Sequence, residues 1–219
     1  MTETSAAPVE PVEEAVERDG RTARRDRNRD AVLDALIELF GEDAVYPAPA
    51  QVAERSGVSL RSVYRYFEDM ESLARAAMAR HLDRIQPLFA IEDVGQGSLD
   101  DRIRRLVAQR LRLYDAVAPV MRAAVQRSRT NEVIAGRVKE RRVTLRVQIE
   151  EMFAPELADA VPPVPADVVS AIDVLLGFEG IEHLRVHRSL TASATARVLT
   201  RSMAAIIGAA APANAQVDG

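Results

Sequence analysis

The sequence predicts an all-α protein in which an N-terminal three-helix head, containing a helix-turn-helix, is joined by a long helix to a C-terminal helical body. Two observations carry this prediction. Apolar residues recur at helical spacing in segments that make about nine helices. The stretch VAERSGVSLRSVYRYF, residues 52–67, also has the spacing of two short helices around a tight turn. The expected domains are an acidic disordered tail at 1–20, the head at 21–75, the body at 76–208 and a disordered tail at 209–219.

The residues of this stretch meet the geometric demands of a helix-turn-helix. Ala53 lets the two helices cross closely, Gly57 accepts the positive φ of a tight turn, and Ser59 can cap the second helix. Val52, Val58 and Val63 are expected to form the small apolar core beneath the motif. The exposed side of the second helix offers apolar, hydroxyl and guanidinium groups suited to reading a major groove, on Leu60, Arg61, Ser62, Arg65 and Tyr66.

The remaining helices follow from their start and stop signals. A first helix from about Asn28 ends near Gly41, Pro49 opens the next, and Asp69 caps a long helix through about Gln86. The helices expected in the body cover residues 99–117, 119–129, 131–153, 166–187 and 191–207. The first begins at a capping box, and Pro119 separates it from the second.

The composition excludes several classes of protein. With 219 residues, 47% of them hydrophobic, the chain can bury a core. It has no cysteine, so disulfides and thiolate metal sites are excluded and a reducing compartment is expected. No apolar run reaches the roughly 20 residues of a membrane span, and the N-terminus is acidic where a signal peptide would be basic. We therefore expect a soluble, cytoplasmic protein.

Charge is unevenly distributed along a chain whose formal net charge is -4. Residues 1–17 hold five glutamates and no basic residue, whereas residues 18–29 hold six arginines against two aspartates. The basic run is either an ordinary solvated surface or an arm that lies along phosphates or in a minor groove, with Arg24 and Arg25 on DNA. Residues 55–67 add three arginines and no acid, so positive charge is concentrated in the head.

Several motifs of the head resemble those of one protein family. Phe40-Gly41 at a helix end, then VAERSGVS, then SVYRYF, then ESL opening a long helix are similar to the DNA-binding head of the TetR family of bacterial transcriptional regulators. The resemblance covers residues 29–75. It implies that Leu60, Arg61 and Ser62 face bases and phosphates, that Tyr64 and Tyr66 contact the DNA backbone, and that Ser59 caps the recognition helix.

Two positions depart from the family pattern. Ala48 stands where the family usually caps the second helix with Thr or Ser, and Met70 stands where it often has lysine at the start of the fourth helix. Each departure removes a phosphate contact, which the arginine run could replace.

The resemblance also implies a homodimer, with the last two helices paired against their copies in a four-helix bundle. Glycines inside these helices would permit a close backbone approach. The residues expected at the interface are Leu176, Gly177, Gly180, His183, Leu184, Val198, Met203 and Ile206. The alternative is that these residues form an ordinary core within one chain.

Family members commonly hold a small-molecule effector inside the helical body, and the resemblance implies a similar pocket here. Its expected lining is Phe89, Gln109, Arg110, Tyr114, Met121, Arg122, Val125, Met152, Phe153 and Phe178. The alternative is that the aromatic and methionine side chains fill the core.

Candidates for catalysis are few. His183 and His187 lie four residues apart near Glu179 and Glu182, a spacing that could bind a metal, but the sequence offers no convincing third ligand. We therefore expect no metal, no cofactor and no enzyme. The expected function is a homodimeric DNA-binding regulator, a repressor that a small molecule releases from a palindromic operator. The alternative is a helical ligand-binding or scaffold protein that has lost specific DNA binding, which the departures at Ala48 and Met70 favour.

Overall fold

The computed structural model describes residues 12–42, 47–129, 132–158 and 164–210. Across these ranges the chain is helical, with ten α-helices and no strand, which confirms the predicted all-α class. Two compact units are present, residues 1–81 and residues 82–219. None of the helices within the described ranges is long and apolar enough to cross a bilayer.

The first unit contains the predicted helix-turn-helix. Its helices are α1 (Val12–Glu42), α2 (Pro49–Ser56), α3 (Leu60–Tyr66) and α4 (Met70–Ile85), the last of which continues into the second unit. The core of this unit is apolar and buried, and it includes Val32, Leu36, Phe40, Val52, Val63 and Leu73. Arg80 of α4 holds the long first helix by ion pairs to Asp30 and Asp34 of α1, at 3.1 and 2.9 Å.

Helix α1 begins much earlier than the sequence predicted. It starts at Val12 instead of about Asn28, so residues 12–20 of the expected disordered tail are helical. Alanine, glutamate and arginine favour helices without any apolar stripe, and apolar spacing therefore failed to detect this part of α1. Residues 1–11 of the expected tail, and residues 211–219 of the C-terminal one, lie outside the described residues.

The second unit is built around one long helix. A 3-10 turn, Gln86–Phe89, follows α4 and leads through a loop to α5 (Leu99–Arg127), α6 (Glu132–Met152), α7 (Ala154–Leu157) and α8 (Val164–Leu176). The chain ends with α9 (Phe178–Glu182), a π-helical turn (His183–His187) and α10 (Ala192–Ala210). Helix α5 packs against α6, α9 and α10, helix α8 packs against α6, α9 and α10, and buried side chains of these helices form the main core.

Helix α5 is continuous through Pro119, so the predicted division into 99–117 and 119–129 is wrong. Proline inside a helix costs about 3 kcal/mol because it lacks an amide hydrogen and crowds the preceding turn. Here Ala118, Val120, Ala123 and Ala124 are all buried around it. Burial of this face on both sides of the proline keeps the helix intact.

The predicted helix over 166–187 is broken at Gly177 instead of running straight. A Cβ atom on Gly177 would lie 2.9 Å from the carbonyl oxygen of Asp173. One on Gly180 would lie 2.7 Å from the carbonyl oxygen of Leu175 and closer still to that of Val174. The close backbone approach expected of these glycines is therefore made within one chain, where α9 folds against the end of α8.

Candidate nucleic-acid interface and ligand cleft

The turn of the helix-turn-helix has the predicted geometry. Gly57 follows α2 with φ 68°, in the left-handed region that favours glycine. Ser59 precedes α3, and its Oγ accepts a hydrogen bond from the amide of Ser62 at 3.3 Å. Val63 is buried beneath α3 while Leu60 and Tyr64 are 41% and 52% exposed. Helix α3 is therefore anchored by its buried face and exposes the opposite face to solvent.

The start of α2 lacks a side-chain cap at Ala48, as the sequence predicted. Gln51 compensates in part, because its Oε1 accepts a hydrogen bond from the amide of Ala48 at 2.7 Å. At the start of α4, Asp69 caps the helix by accepting from the amide of Ser72 at 2.7 Å, and Met70 supplies no charge. Both helix starts are stable, but neither side chain contributes a cation.

Arg65 is held in place beside α3. Its Nη2 donates to the hydroxyls of Ser62 and Tyr66, both at 3.3 Å, and its guanidinium lies 5.2 Å from the centre of the Tyr66 ring. The hydrogen bond from Arg65 lowers the pKa of Tyr66, and Asn28 and Arg25 of α1 lower it further. Arg25 therefore lies near the C-terminal end of α3.

Arg24 and Arg25 are exposed side chains on α1, so the basic segment predicted as an arm is part of a helix. An α-helix is about 10–12 Å wide with its side chains, whereas a minor groove is about 6 Å wide. Residues 18–29, as part of a helix, cannot enter a minor groove. The two uses that remain are a solvated face and a row of phosphate contacts.

Arg55 does not add to the free positive charge of the head. Its two terminal nitrogens bind Glu42 at 2.8 and 2.6 Å, and Nη1 lies 3.6 Å from Glu38. The hydrogen bonds from Arg55 lower the pKa of Glu42. Sequence reasoning missed this pairing, although Glu38 and Glu42 lie four residues apart on one side of α1. Arg61 and Arg65, the other two arginines of residues 55–67, form no ion pair with any carboxylate that the structure describes.

The second unit contains a cleft of about 350 Å³ between α5, α6 and the α8–α9 junction. Among the predicted pocket residues, Arg110, Met121 and Phe178 line it. Three residues predicted for the dimer interface, Leu176, Gly177 and Gly180, also line the cleft.

The other predicted pocket residues are not among those that line this cleft. Those buried in the packed interior are Phe89, Gln109, Tyr114, Met152 and Phe153, while Val125 is half-buried. Arg122 makes two hydrogen bonds to Glu182, at 2.7 and 3.1 Å, and the hydroxyl of Tyr114 donates to the same carboxylate. Burial, reinforced by Glu182, raises the pKa of Tyr114 to about 12. This cluster joins α5 to α9 and is a structural contact.

The residues predicted for the dimer interface divide by exposure. Leu176 and Met203 are core residues that are buried within their own chain. Leu184 and Ile206 are half-buried against that core, and His183 and Val198 are exposed. Val174 and Val186, which the sequence did not single out, are also exposed, at 72% and 47%. Burial in one chain cannot be read from apolar content alone.

The two histidines of the π-helical turn, His183 and His187, have ring centres 5.7 Å apart. Within the described ranges, no three His, Asp or Glu side chains are grouped so that they could hold a metal ion. The pair is better explained as an exposed surface feature.

Comparisons with known proteins agree with this arrangement. Residues 32–77 match the family model described as bacterial regulatory proteins, tetR family. The fold is similar to that of a TetR-family transcriptional regulator from Streptomyces coelicolor, with a TM-score of 0.63, 22% identity, and 84% of this chain and 82% of that chain covered. It is also similar to a transcriptional regulator from Rhodococcus sp. Rha1, with a TM-score of 0.63, 18% identity, and coverages of 83% and 97%. No curated protein matches the sequence.

Proposed function

We propose that this chain, whose residues 32–77 match the TetR family model, is a homodimeric repressor of that family which a small ligand releases from a palindromic operator. The observation that carries the proposal is the recognition helix α3. It is capped by Ser59, supported by the buried Val63, and presents uncompensated arginines outward.

The exposed face of α3 suits a major groove. Arg61 can donate two hydrogen bonds to the acceptor edge of guanine, and Leu60 can contact a thymine methyl group. Tyr64 and Ser62 offer hydroxyls to phosphates. Arg65 and Tyr66 are already joined to one another, so they lose little conformational freedom when they bind the DNA backbone.

The basic face of α1 extends this contact. Arg24 and Arg25 are exposed, and the charge of Arg25 already acts on Tyr66. We place these two arginines on phosphates that flank the bases read by α3. Such contacts contribute affinity but no sequence preference.

Dimerisation would use the last helices. Val174, Val186 and Val198 are exposed apolar side chains on α8, the π-helical turn and α10, where a second copy would cover them. Two-fold symmetry then places two copies of α3 on half-sites about 34 Å apart or a multiple of that distance. The cleft beside Phe178 would hold the effector, which favours a conformation whose two heads no longer fit the operator.

A gel-shift titration with the DNA flanking the gene tests the proposal. Arg61→Ala should lower specific affinity by roughly 10- to 100-fold, because a bidentate contact to guanine is lost. Arg112→Ala, which removes an exposed arginine of α5, is the control and should bind as the unmodified protein does. Equal binding by all three proteins would exclude α3 as the reading element.

The lack of phosphate-binding side chains at three positions beside α3 favours a second function. Ala48 gives no side-chain cap, Met70 gives no cation, and Arg55 is neutralised by glutamates. These features suit a helical ligand-binding or scaffold protein that has lost specific DNA binding. The absence of any specific shift, across all salt concentrations, would favour this second function.

A further inference from the structure

Arg110 is a buried cation without a direct counter-charge. It lies in the middle of α5, is only 2% exposed, and lines the cleft. Its Nη1 donates to the side-chain oxygens of Gln109 and Gln148, and its Nη2 donates to the carbonyl oxygen of Leu145 at 2.8 Å. All three acceptors are neutral. In the part of the chain that the structure describes, no carboxylate forms an ion pair with this guanidinium.

This arrangement is costly for the protein. Buried charges are normally paired, because moving an ion out of water costs several kcal/mol. Burial lowers the pKa of Arg110 to about 10, and the more distant carboxylate of Asp173 opposes that shift only in part. Arg110 therefore stays charged at neutral pH and is incompletely neutralised.

The other charged side chains that line the cleft do not neutralise the positive charge of Arg110. Arg142 is paired with Glu179, and Arg141 lies over the Phe89 ring at 4.8 Å from its centre. Asp173 forms no ion pair among the described residues. Three arginines thus line the cleft with two carboxylates, which leaves one positive charge uncompensated.

The remainder of the lining is mainly apolar. Met121, Val138, Leu145, Leu176 and Phe178 surround the cleft, and its volume of about 350 Å³ falls at the small end of the range for ligand sites, roughly 300–1,000 Å³. A ligand that fits must bury an apolar body and, at one end, meet the guanidinium of Arg110.

We propose that the cleft binds a small organic carboxylate with an apolar chain, whose carboxylate completes the coordination of Arg110. The ligand would supply the missing negative charge, and its chain would cover the apolar lining. Its role as the effector rests on the proposed function, but the binding itself does not.

Calorimetric titration of the full chain with straight-chain carboxylates, from butanoate to decanoate, and with their matched amides tests this inference. At least one carboxylate should bind about tenfold or more tightly than its amide, because a charge-assisted hydrogen bond contributes roughly 1.5–3 kcal/mol. Equal binding of every acid and amide, or no binding by any acid, would overturn the proposal.

Variants identify the residue responsible. Arg110→Gln should lose the preference for the acid, whereas Arg112→Gln, on the exposed side of the same helix, should keep it. Asp173→Asn removes the competing carboxylate and should tighten binding of the acid by roughly two- to fivefold. This second variant tests the idea even if Arg110→Gln does not fold, and weaker or unchanged binding by it would count against the proposal.

A gel shift of the same samples separates this inference from the proposed function. Carboxylate binding without any effect on DNA would support the cleft and contradict release by ligand. Normal DNA binding with no preference for carboxylates would leave the regulator intact and overturn the ligand class.

Discussion

Helix α3 and the middle of α5 both hold arginines that pair with no carboxylate among the described residues, but in opposite environments. Arg61 and Arg65 are exposed, whereas Arg110 is 2% exposed and surrounded by neutral acceptors. An exposed cation costs little free energy, and its attraction to phosphate is screened by salt. A buried cation is costly to keep and discriminates strongly between a charged and a neutral partner.

Arg102 shows the usual way to bury an arginine charge. Arg102, on the same helix as Arg110, is buried and forms two hydrogen bonds to the carboxylate of Glu156, one of them 2.7 Å long. It also donates to the carbonyl oxygen of Met152 at 2.9 Å. Among the described residues, Arg102 has a carboxylate partner, whereas Arg110 on the same helix has only neutral acceptors. We infer that Arg102 fastens α5 to the end of α6, while Arg110 is kept for a ligand.

The largest effect should come from removing the carboxylate that pairs with the buried Arg102. Glu156→Ala leaves Arg102 buried without its partner and should lower the free energy of unfolding by about 2–3 kcal/mol, since Glu156 is partly exposed. Urea denaturation measures the loss. Glu150→Ala removes the exposed pair with Arg146 and should cost less than about 1 kcal/mol. Equal losses would mean that burial does not distinguish the two pairs.

A smaller effect, on DNA binding, is expected from removing the exposed arginines of α1. Arg24→Ala combined with Arg25→Ala should weaken DNA binding evenly across sequences and reduce the slope of log K against log salt by about two. Arg112→Ala with Arg129→Ala, two exposed arginines of the second unit, is the matched control. An unchanged slope would assign the basic face of α1 to solvent.

The smallest effect concerns two tyrosines and appears only at high pH. Tyr66, beside Arg65, should ionise below its ordinary pKa, and Tyr114, buried beside Glu182, should ionise near 12. Because Tyr114 holds its proton more tightly when folded, stability should fall as pH rises from about 10 to about 12. Ultraviolet titration of Tyr66→Phe and Tyr114→Phe assigns the two transitions. The reverse order would contradict both environments.

Local rules of the helix-turn-helix were sufficient to predict it from sequence. Gly57 must adopt a positive φ, Ser59 must cap, and Val63 must be buried, and each demand restricts the residue type at that position. The all-α class followed from apolar spacing in the same way. By contrast, the pairing of Arg55 with Glu42 depends on how two helices meet, which no local pattern records.

The body was harder to predict because tertiary packing overrides local signals there. Pro119 normally ends a helix, yet the buried residues on both sides of it keep α5 continuous. The apolar content of the last helices pointed to a partner subunit, but Leu176 and Met203 pack within their own chain. Arg110 was predicted to line the pocket, but the neutral acceptors around it, on which the proposed carboxylate ligand rests, could not be predicted from sequence.

Gly177 and Gly180 fold α9 back on α8 and also form part of the cleft wall. At these two positions the wall is bare backbone, which rotamer changes cannot reshape. Any side chain at Gly180 would collide with the carbonyl oxygens of Val174 and Leu175 and force the two helices apart. The ligand that we propose for this cleft would therefore meet a fixed backbone surface at Gly177 and Gly180, whereas the lining side chains of α5 and α6 would be free to vary.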